Sequence, residues 1–231
     1  METPNKLQGF RWLSTTASEE NTWRLKPYRN IFKRSLDLIF AILILPFLLP
    51  IIIVLAIMIR LDSKGPAFYR SRRMGKKGKL FDCLKLRTMY VDADQKLANL
   101  LESDSKLKKE YEIYRKLKKD PRITKVGKLL RSFSLDELPQ IFNVIRGEMS
   151  FIGPRPAFEE EIKNYYGLNQ KEYKAVTPGI TGLWQISGRN NTTFEKRVLL
   201  DSFYSKNLSI MLDLKIMLKT IPAVFLRKGA Y

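Results

Sequence analysis

The stretch Leu38–Ile59, LIFAILILPFLLPIIIVLAIMI, holds 22 residues without a charge. As one continuous helix it would be ~33 Å long, enough to cross the hydrocarbon core of a bilayer. A buried core helix is the alternative, but a chain of 231 residues could hardly surround it. Two features argue against a simple crossing. Pro46 and Pro50 fall mid-run, where each removes a backbone donor and crowds the preceding turn. Basic residues flank the run on both sides, Arg24, Lys26, Arg29, Lys33 and Arg34 before it and Arg60, Lys64, Arg70, Arg72 and Arg73 after it. Positive flanks stay on the cytoplasmic side, and here both ends ask for that side. A helix that enters, breaks at the prolines and returns satisfies both flanks; a straight span satisfies one. The expected architecture is α+β and helix-rich, a monotopic membrane protein with a small β-hairpin. A polar arm occupies 1–30, a re-entrant helix-break-helix anchor 31–61, and a cytoplasmic domain 62–231.

Beyond the anchor, Pro66–Tyr69 and Lys79–Met89 read as short strands around the turn Gly75-Lys76-Lys77-Gly78, a hairpin. Residues 92–119 place Leu97, Leu100, Leu101, Leu107, Tyr111, Tyr114 and Leu117 at helical spacing. Residues 120–156 read as short helices with sharp stops, and Pro178–Asn191 as a glycine-rich loop. Ile210–Arg227 mixes Leu, Ile, Met and Phe with Lys215, Lys219 and Arg227, the pattern of an amphipathic helix lying in a headgroup layer.

Composition narrows the chemistry. The chain carries 42 Lys+Arg against 23 Asp+Glu, a net charge of +19, so its partners are anionic. It has no histidine, which removes His-based general bases, Ser-His-Asp triads and His-ligated zinc. Its single cysteine, Cys83, forms no intrachain disulfide and reads as a small apolar residue in Phe81–Leu86. Any catalysis is therefore left to carboxylates, Lys and Arg, with or without a hard metal.

Adjacent carboxylates in basic surroundings are the first place to look. Asp136 and Glu137 lie in Ser132–Gln140, close behind Lys128 and Arg131. Ser134-x-x-Glu137 also has the form of a capping box, with Asp136 favourable at a helix N-terminus. The two readings are compatible, because a helix N-terminus binds phosphate. Gly153-Pro154-Arg155-Pro156 holds one guanidinium between two prolines, on a backbone stiff enough to present it to phosphate oxygens. Pro178–Asn190 is neither a Walker loop nor a Rossmann fingerprint, but its glycines allow close backbone approach, and Arg189 and Asn190 could meet a diphosphate. Asp201 is a carboxylate among apolar neighbours, either ion-paired to an Arg or supporting a metal site.

Taken in order, these residues resemble a known family. Phe32-Lys33-Arg34-x-x-Asp37, the apolar run broken at Pro50, Lys85-Leu86-Arg87-Thr88-Met89, Arg131-x-x-Ser134-Leu135-Asp136-Glu137-Leu138, Gly153-Pro154-Arg155-Pro156 and Pro178-Gly179-Ile180-Thr181-Gly182 are similar to motifs of the bacterial sugar transferases. These are monotopic polyprenyl-phosphate phosphoglycosyl transferases, and the resemblance covers residues 31–226. It implies that Asp136 is the nucleophile on the sugar-bearing phosphorus of a UDP-sugar and that Glu137 holds magnesium or accepts a proton. It further implies that Arg155 holds the phosphate with Lys85, Arg131 and Arg189, that Asp201 supports the acids, and that Pro50 marks the re-entrant break. Mg2+ would be held by Asp136 and Glu137. The partners implied are a UDP-sugar, undecaprenyl phosphate and the lipids of the bacterial inner membrane at its cytoplasmic face; a homodimer is compatible. Residues 92–124 and Gly182-Leu183-Trp184-Gln185 resemble members that use UDP-galactose. Members of the longer type carry a multi-span region before the anchor, where this chain has about 30 polar residues. The rival reading is a membrane-tethered basic module binding nucleic acid or anionic lipid without turnover. It leaves the carboxylates unexplained, and nucleic acid is not expected as a partner. Nucleic-acid binding would show a steep salt dependence and no magnesium requirement.

Overall fold

A computed structural model describes residues 31–114, 117, 120–188 and 192–225. The polar arm 1–30 and Arg189 lie outside the described residues. The chain runs α1 (Lys33–Asp62), β1 (Phe68–Met74), β2 (Leu80–Leu86), α2 (Ala93–Ser103), α3 (Ser105–Tyr114), α4 (Lys125–Ser132), a 3-10 turn (Leu135–Glu137), α5 (Gln140–Arg146) and β3 (Ser150–Ile152). It continues through α6 (Glu159–Tyr165), α7 (Gln170–Ala175), β4 (Gly179–Thr181), α8 (Leu183–Ile186), α9 (Phe194–Lys206) and α10 (Ile210–Phe225). The fold is helix-rich with little sheet, as expected.

The apolar run forms one helix of 30 residues, and Pro46 and Pro50 lie inside it without ending it. The expected helix-break-helix is corrected to that extent: each proline forfeits a hydrogen bond, but the flanking turns carry the helix past it. Among the described residues, this helix is long and apolar enough to cross a membrane, and only 17% of its most apolar 18-residue window is buried. It is no core helix.

Both of its ends are fastened to the body. At the start, Lys33 Nζ lies 2.6 Å from Asp213 Oδ2 on α10, while Ser150 Oγ (3.0 Å) and the Phe151 amide (3.1 Å) donate to Asp37 Oδ1. Arg34 donates to the Val144 and Ile145 carbonyls at the end of α5, where a helix has unpaired acceptors and a partial negative charge. At the other end, Asp62 accepts from the Val126 amide in the first turn of α4. Lys33 and Arg34, two of the basic residues flanking the apolar run, are thus both engaged by contacts to the body. Ala41, Ile52, Leu55 and Ile59 pack with Phe81, Leu86, Leu130, Ile141 and Val144. Burying each such side chain stabilises the fold by roughly 1.5–3 kcal/mol. Between these anchoring points Ile42, Leu43, Phe47 and Leu49 stay exposed.

The hairpin is present with its strands shifted: β1 pairs antiparallel with β2 from Phe68↔Leu86 to Met74↔Leu80, around a 3-10 turn at Lys76–Gly78. The long helix expected over 92–119 is two helices, because the chain is extended at Asp104, whose carboxylate caps the Lys106 and Leu107 amides. A parallel pair, β3 with β4, joins Ser150 to Gly179 and Ile152 to Thr181. Here the backbones come so close that a methyl group on Gly153, Gly179 or Gly182 would overlap main-chain atoms of the facing segment. The glycines of Pro178–Gly182 thus admit the Gly153 backbone. α10 buries Leu212 and Ile216 against Ile152 and Leu183, and leaves Ile210, Met211, Leu214, Met217, Leu218 and Ile221 exposed.

Candidate active site

Ser134 adopts the left-handed conformation, with φ of 57°. For a residue with a side chain this costs about 1–2 kcal/mol, and the price is a sharp turn out of α4. Leu135 and Leu138 pack into the core on either side of the acids, so the 3-10 turn holds Asp136 and Glu137 together at the surface of that core. The expected capping box does not form, because Ser134 is not in a capping conformation and Glu137 turns to cations instead of back to the chain.

Lys85 Nζ on β2 reaches Glu137 Oε1 at 2.8 Å and Asp136 Oδ2 at 3.9 Å. Arg155, on the segment after β3, donates to the same Glu137 Oε1 at 2.9 Å. Arg131 donates to Thr88 Oγ1 at 2.9 Å and acts on Asp136 through its charge. The structure therefore gathers Lys85, Arg131, Asp136, Glu137 and Arg155 from three separate motifs. The two acids differ. Burial raises the Asp136 pKa and the Glu137 charge raises it further, against the pull of Lys85 and Arg131. Burial also opposes ionisation of Glu137, but Arg155 and Lys85 outweigh it and hold this carboxyl well below the usual range. Glu137 is held as an anion, whereas the charged form of Asp136 is disfavoured by its surroundings. Cys83 lies in the same recess, where burial pushes its thiol up, so it supplies no thiolate.

Asp201 is buried and does not reach the acids directly. Tyr166 donates to its Oδ2 at 2.7 Å, and Arg197 lies 3.8 Å away; burial pushes its pKa up to about 6 against both partners. Arg197 links this cluster to the site, donating to the Arg155 carbonyl at 3.2 Å, and the Arg197 and Arg155 guanidiniums both lie over Trp184, at 5.3 and 5.6 Å. Sequence reasoning missed Arg197, although Arg197-x-x-x-Asp201 at helical spacing was a visible signal. It also passed over Arg73 as a site residue, which stacks on Phe158 at 3.3 Å and lines the recess with Lys85, Glu137 and Arg155. Arg197→Lys is expected to keep a cation beside Asp201 and the melting temperature within a few degrees. The donation to Arg155 is lost, so kcat/KM should fall about tenfold, equivalent to ~1.4 kcal/mol. Thermal denaturation beside steady-state kinetics measures both.

The family model for bacterial sugar transferases matches residues 28–227. This chain belongs to the bacterial sugar transferase family. The sugar transferase is 44% identical over 212 residues to the exopolysaccharide production protein ExoY of Sinorhizobium fredii, covering 92% of this chain and 93% of that one. It is 46% identical over 202 residues to the UDP-galactose-lipid carrier transferase of Erwinia amylovora. It is 42% identical over 208 residues to the UDP-glucose:undecaprenyl-phosphate glucose-1-phosphate transferase of Klebsiella pneumoniae. In both of these the alignment covers 87% of the sugar transferase and 42% of the longer relative.

Proposed function

We propose that this sugar transferase moves a sugar 1-phosphate from a UDP-sugar to undecaprenyl phosphate in the assembly of a surface polysaccharide, with UDP-galactose as the preferred donor. The observation that carries the reading is the site's charge balance: Lys85, Arg131, Arg155 and Arg73 surround two carboxylates, leaving a surplus of cations for a diphosphate. Phosphoryl transfer needs charge neutralisation and in-line positioning more than a strong base, which suits a chain without histidine. An Asp136 oxygen attacks the sugar-bearing phosphorus. The bond from that phosphorus to the bridging oxygen breaks, and UMP leaves with the electron pair. A phosphate oxygen of the lipid then attacks the same phosphorus, freeing Asp136 and forming the lipid diphosphate sugar. Two steps let a water-soluble donor and a membrane-bound acceptor use the site in turn. Arg155 and Lys85 hold Glu137 and meet the phosphate; Arg189 is placed in the same role on family resemblance alone.

Asp136 and Glu137 fit magnesium. Both cations on Glu137 share its Oε1, and the ligands on offer are hard oxygens. No cluster of three acidic or thiol side chains occurs among the described residues, so donor phosphate oxygens would complete the coordination. When bound, the ion neutralises charge on the diphosphate.

The helix α1, unbroken but carrying Pro46 and Pro50 near its middle, serves as a re-entrant anchor by bending there, at the cytoplasmic face of the inner membrane. Support comes from its two ends, both fastened to one body, and from its exposed apolar middle around Pro46 and Pro50. The exposed apolar face of α10 lies in the headgroup layer beside it, joined to α1 through Lys33 and Asp213.

Release of UMP from a panel of UDP-sugars, with undecaprenyl phosphate and magnesium, tests the reaction and its donor together. UDP-galactose is expected to be turned over fastest. A clear preference for UDP-glucose or UDP-N-acetylglucosamine overturns the sugar while leaving the reaction class; no UMP from any donor overturns the class.

A further inference from the structure

An open groove of about 760 Å3 runs between the second half of α1 and the start of β1, lined by Ile53, Ala56, Ile57, Arg60, Lys64 and Phe68 among others. Its floor is apolar and unusually bare, with Ile53, Ile57 and Phe68 exposed by 51%, 53% and 46%. Its rim carries two exposed cations, and neither Arg60 nor Lys64 forms an ion pair among the described residues.

The rim is built to stay where it is. Arg87 is 6% exposed and donates to the Lys64 and Ser63 carbonyls at 2.7 and 2.8 Å. It thereby also meets the negative end of α1, which would otherwise oppose an anion here. Gly65 has φ of +118°, and a side chain there would strike Val91. The turn that carries Lys64 is therefore locked from behind. Phe68 pairs with Leu86, whereas Lys85, the next residue, points to the opposite face of the hairpin, where it meets Glu137. Phe68 on the floor of the groove thus faces away from the side of the hairpin that meets the acids, and none of the groove's lining residues is shared with the recess around Glu137.

We propose that this groove seats one anionic phospholipid, its acyl chain along Ile53, Ala56, Ile57 and Phe68 and its phosphate between Arg60 and Lys64. The assignment rests on the reading of α1 as membrane-inserted. An apolar channel ending in two uncompensated cations matches a tail ending in a phosphate, and a net-negative headgroup is favoured over a zwitterionic one.

The test uses the full chain in detergent, titrated with phosphatidylglycerol or phosphatidylcholine and followed by native mass spectrometry. One phosphatidylglycerol is expected to bind in preference to phosphatidylcholine. Arg60→Gln/Lys64→Gln should weaken it about thirty-fold, from two contacts near the membrane surface, with the melting temperature unchanged. Leu61→Gln, exposed but outside the groove, should bind as the parent does. Equal binding of both lipids, or no loss in the double variant, overturns the site. So does one-for-one displacement of phosphatidylglycerol by undecaprenyl phosphate, which would assign the groove to the acceptor. Membrane fractionation separates the two readings: both chains should sediment with membranes, and a parent protein that stays in the soluble fraction removes the anchor and the lipid site together.

Discussion

Asp136→Asn is expected to lower turnover by several orders of magnitude while leaving the protein at least as stable as before. The two halves of that result have one cause. The Asp136 carboxylate is disfavoured by burial and by Glu137 beside it, so an uncharged amide of the same shape relieves repulsion in the folded state. The amide has no charge with which to attack phosphorus, and each tenfold loss of rate corresponds to only ~1.4 kcal/mol of barrier. Asp136→Ala should be no more severe, since either change abolishes attack. Donor labelled in the sugar, mixed with enzyme and magnesium without lipid and quenched in acid, should leave label on the peptide containing Asp136. Undecaprenyl phosphate should remove it. Absence of label at every time point, with kinetics that require both substrates bound at once, would reduce Asp136 to a ligand in a direct displacement.

Gly179→Ala should be among the most damaging changes outside the acids. Its new methyl group would overlap the Gly153 amide nitrogen and the Ile152 carbonyl carbon, which are backbone atoms that cannot rotate aside. The β3–β4 pair would have to part, and that pair carries Arg155 three residues beyond Ile152. A loss of about 3 kcal/mol or more is expected, at the upper end for overpacking. Gly167→Ala is the control: nothing lies within 4 Å of its added carbon, and only its left-handed backbone, with φ of +46°, is strained. It should cost about 1–2 kcal/mol. Chemical denaturation of the three proteins ranks them; equal losses at both glycines would mean that backbone contact is not what Gly179 protects.

What could be read from the residues alone divides along physical lines. Local patterns were legible: the uncharged run of α1, the Gly75–Gly78 turn of the hairpin, and the apolar spacing of α10. The β3–β4 pair was not, because strands of three residues leave no periodicity and their pairing is between distant segments. The break at Asp104 was hidden because apolar spacing continues across it. In the site, Arg155 stood out between its prolines and Lys85 came only from the family resemblance; the structure brings both to Glu137. Arg197 was passed over, since an arginine within a helix usually reads as a solvated face; its spacing to Asp201 hinted at a pair, and tertiary packing turns it inward under Arg155. Lys33 and Arg34 were legible as flanking basic residues, while their partners, a carboxylate and two carbonyls more than 100 positions away, were not.

The pairing of Lys33 with Asp213 spans 180 positions of the chain. A ribosome adding roughly 5–20 residues per second delivers the second partner about 10–40 s after the first. For that interval α1 has its positive charge without the Asp213 carboxylate, and the carbonyls awaiting Arg34 arrive well before the carboxylate awaiting Lys33. Closure of the assembly is therefore timed by α10: the clasp at the start of α1 is completed only once that much later helix has been made.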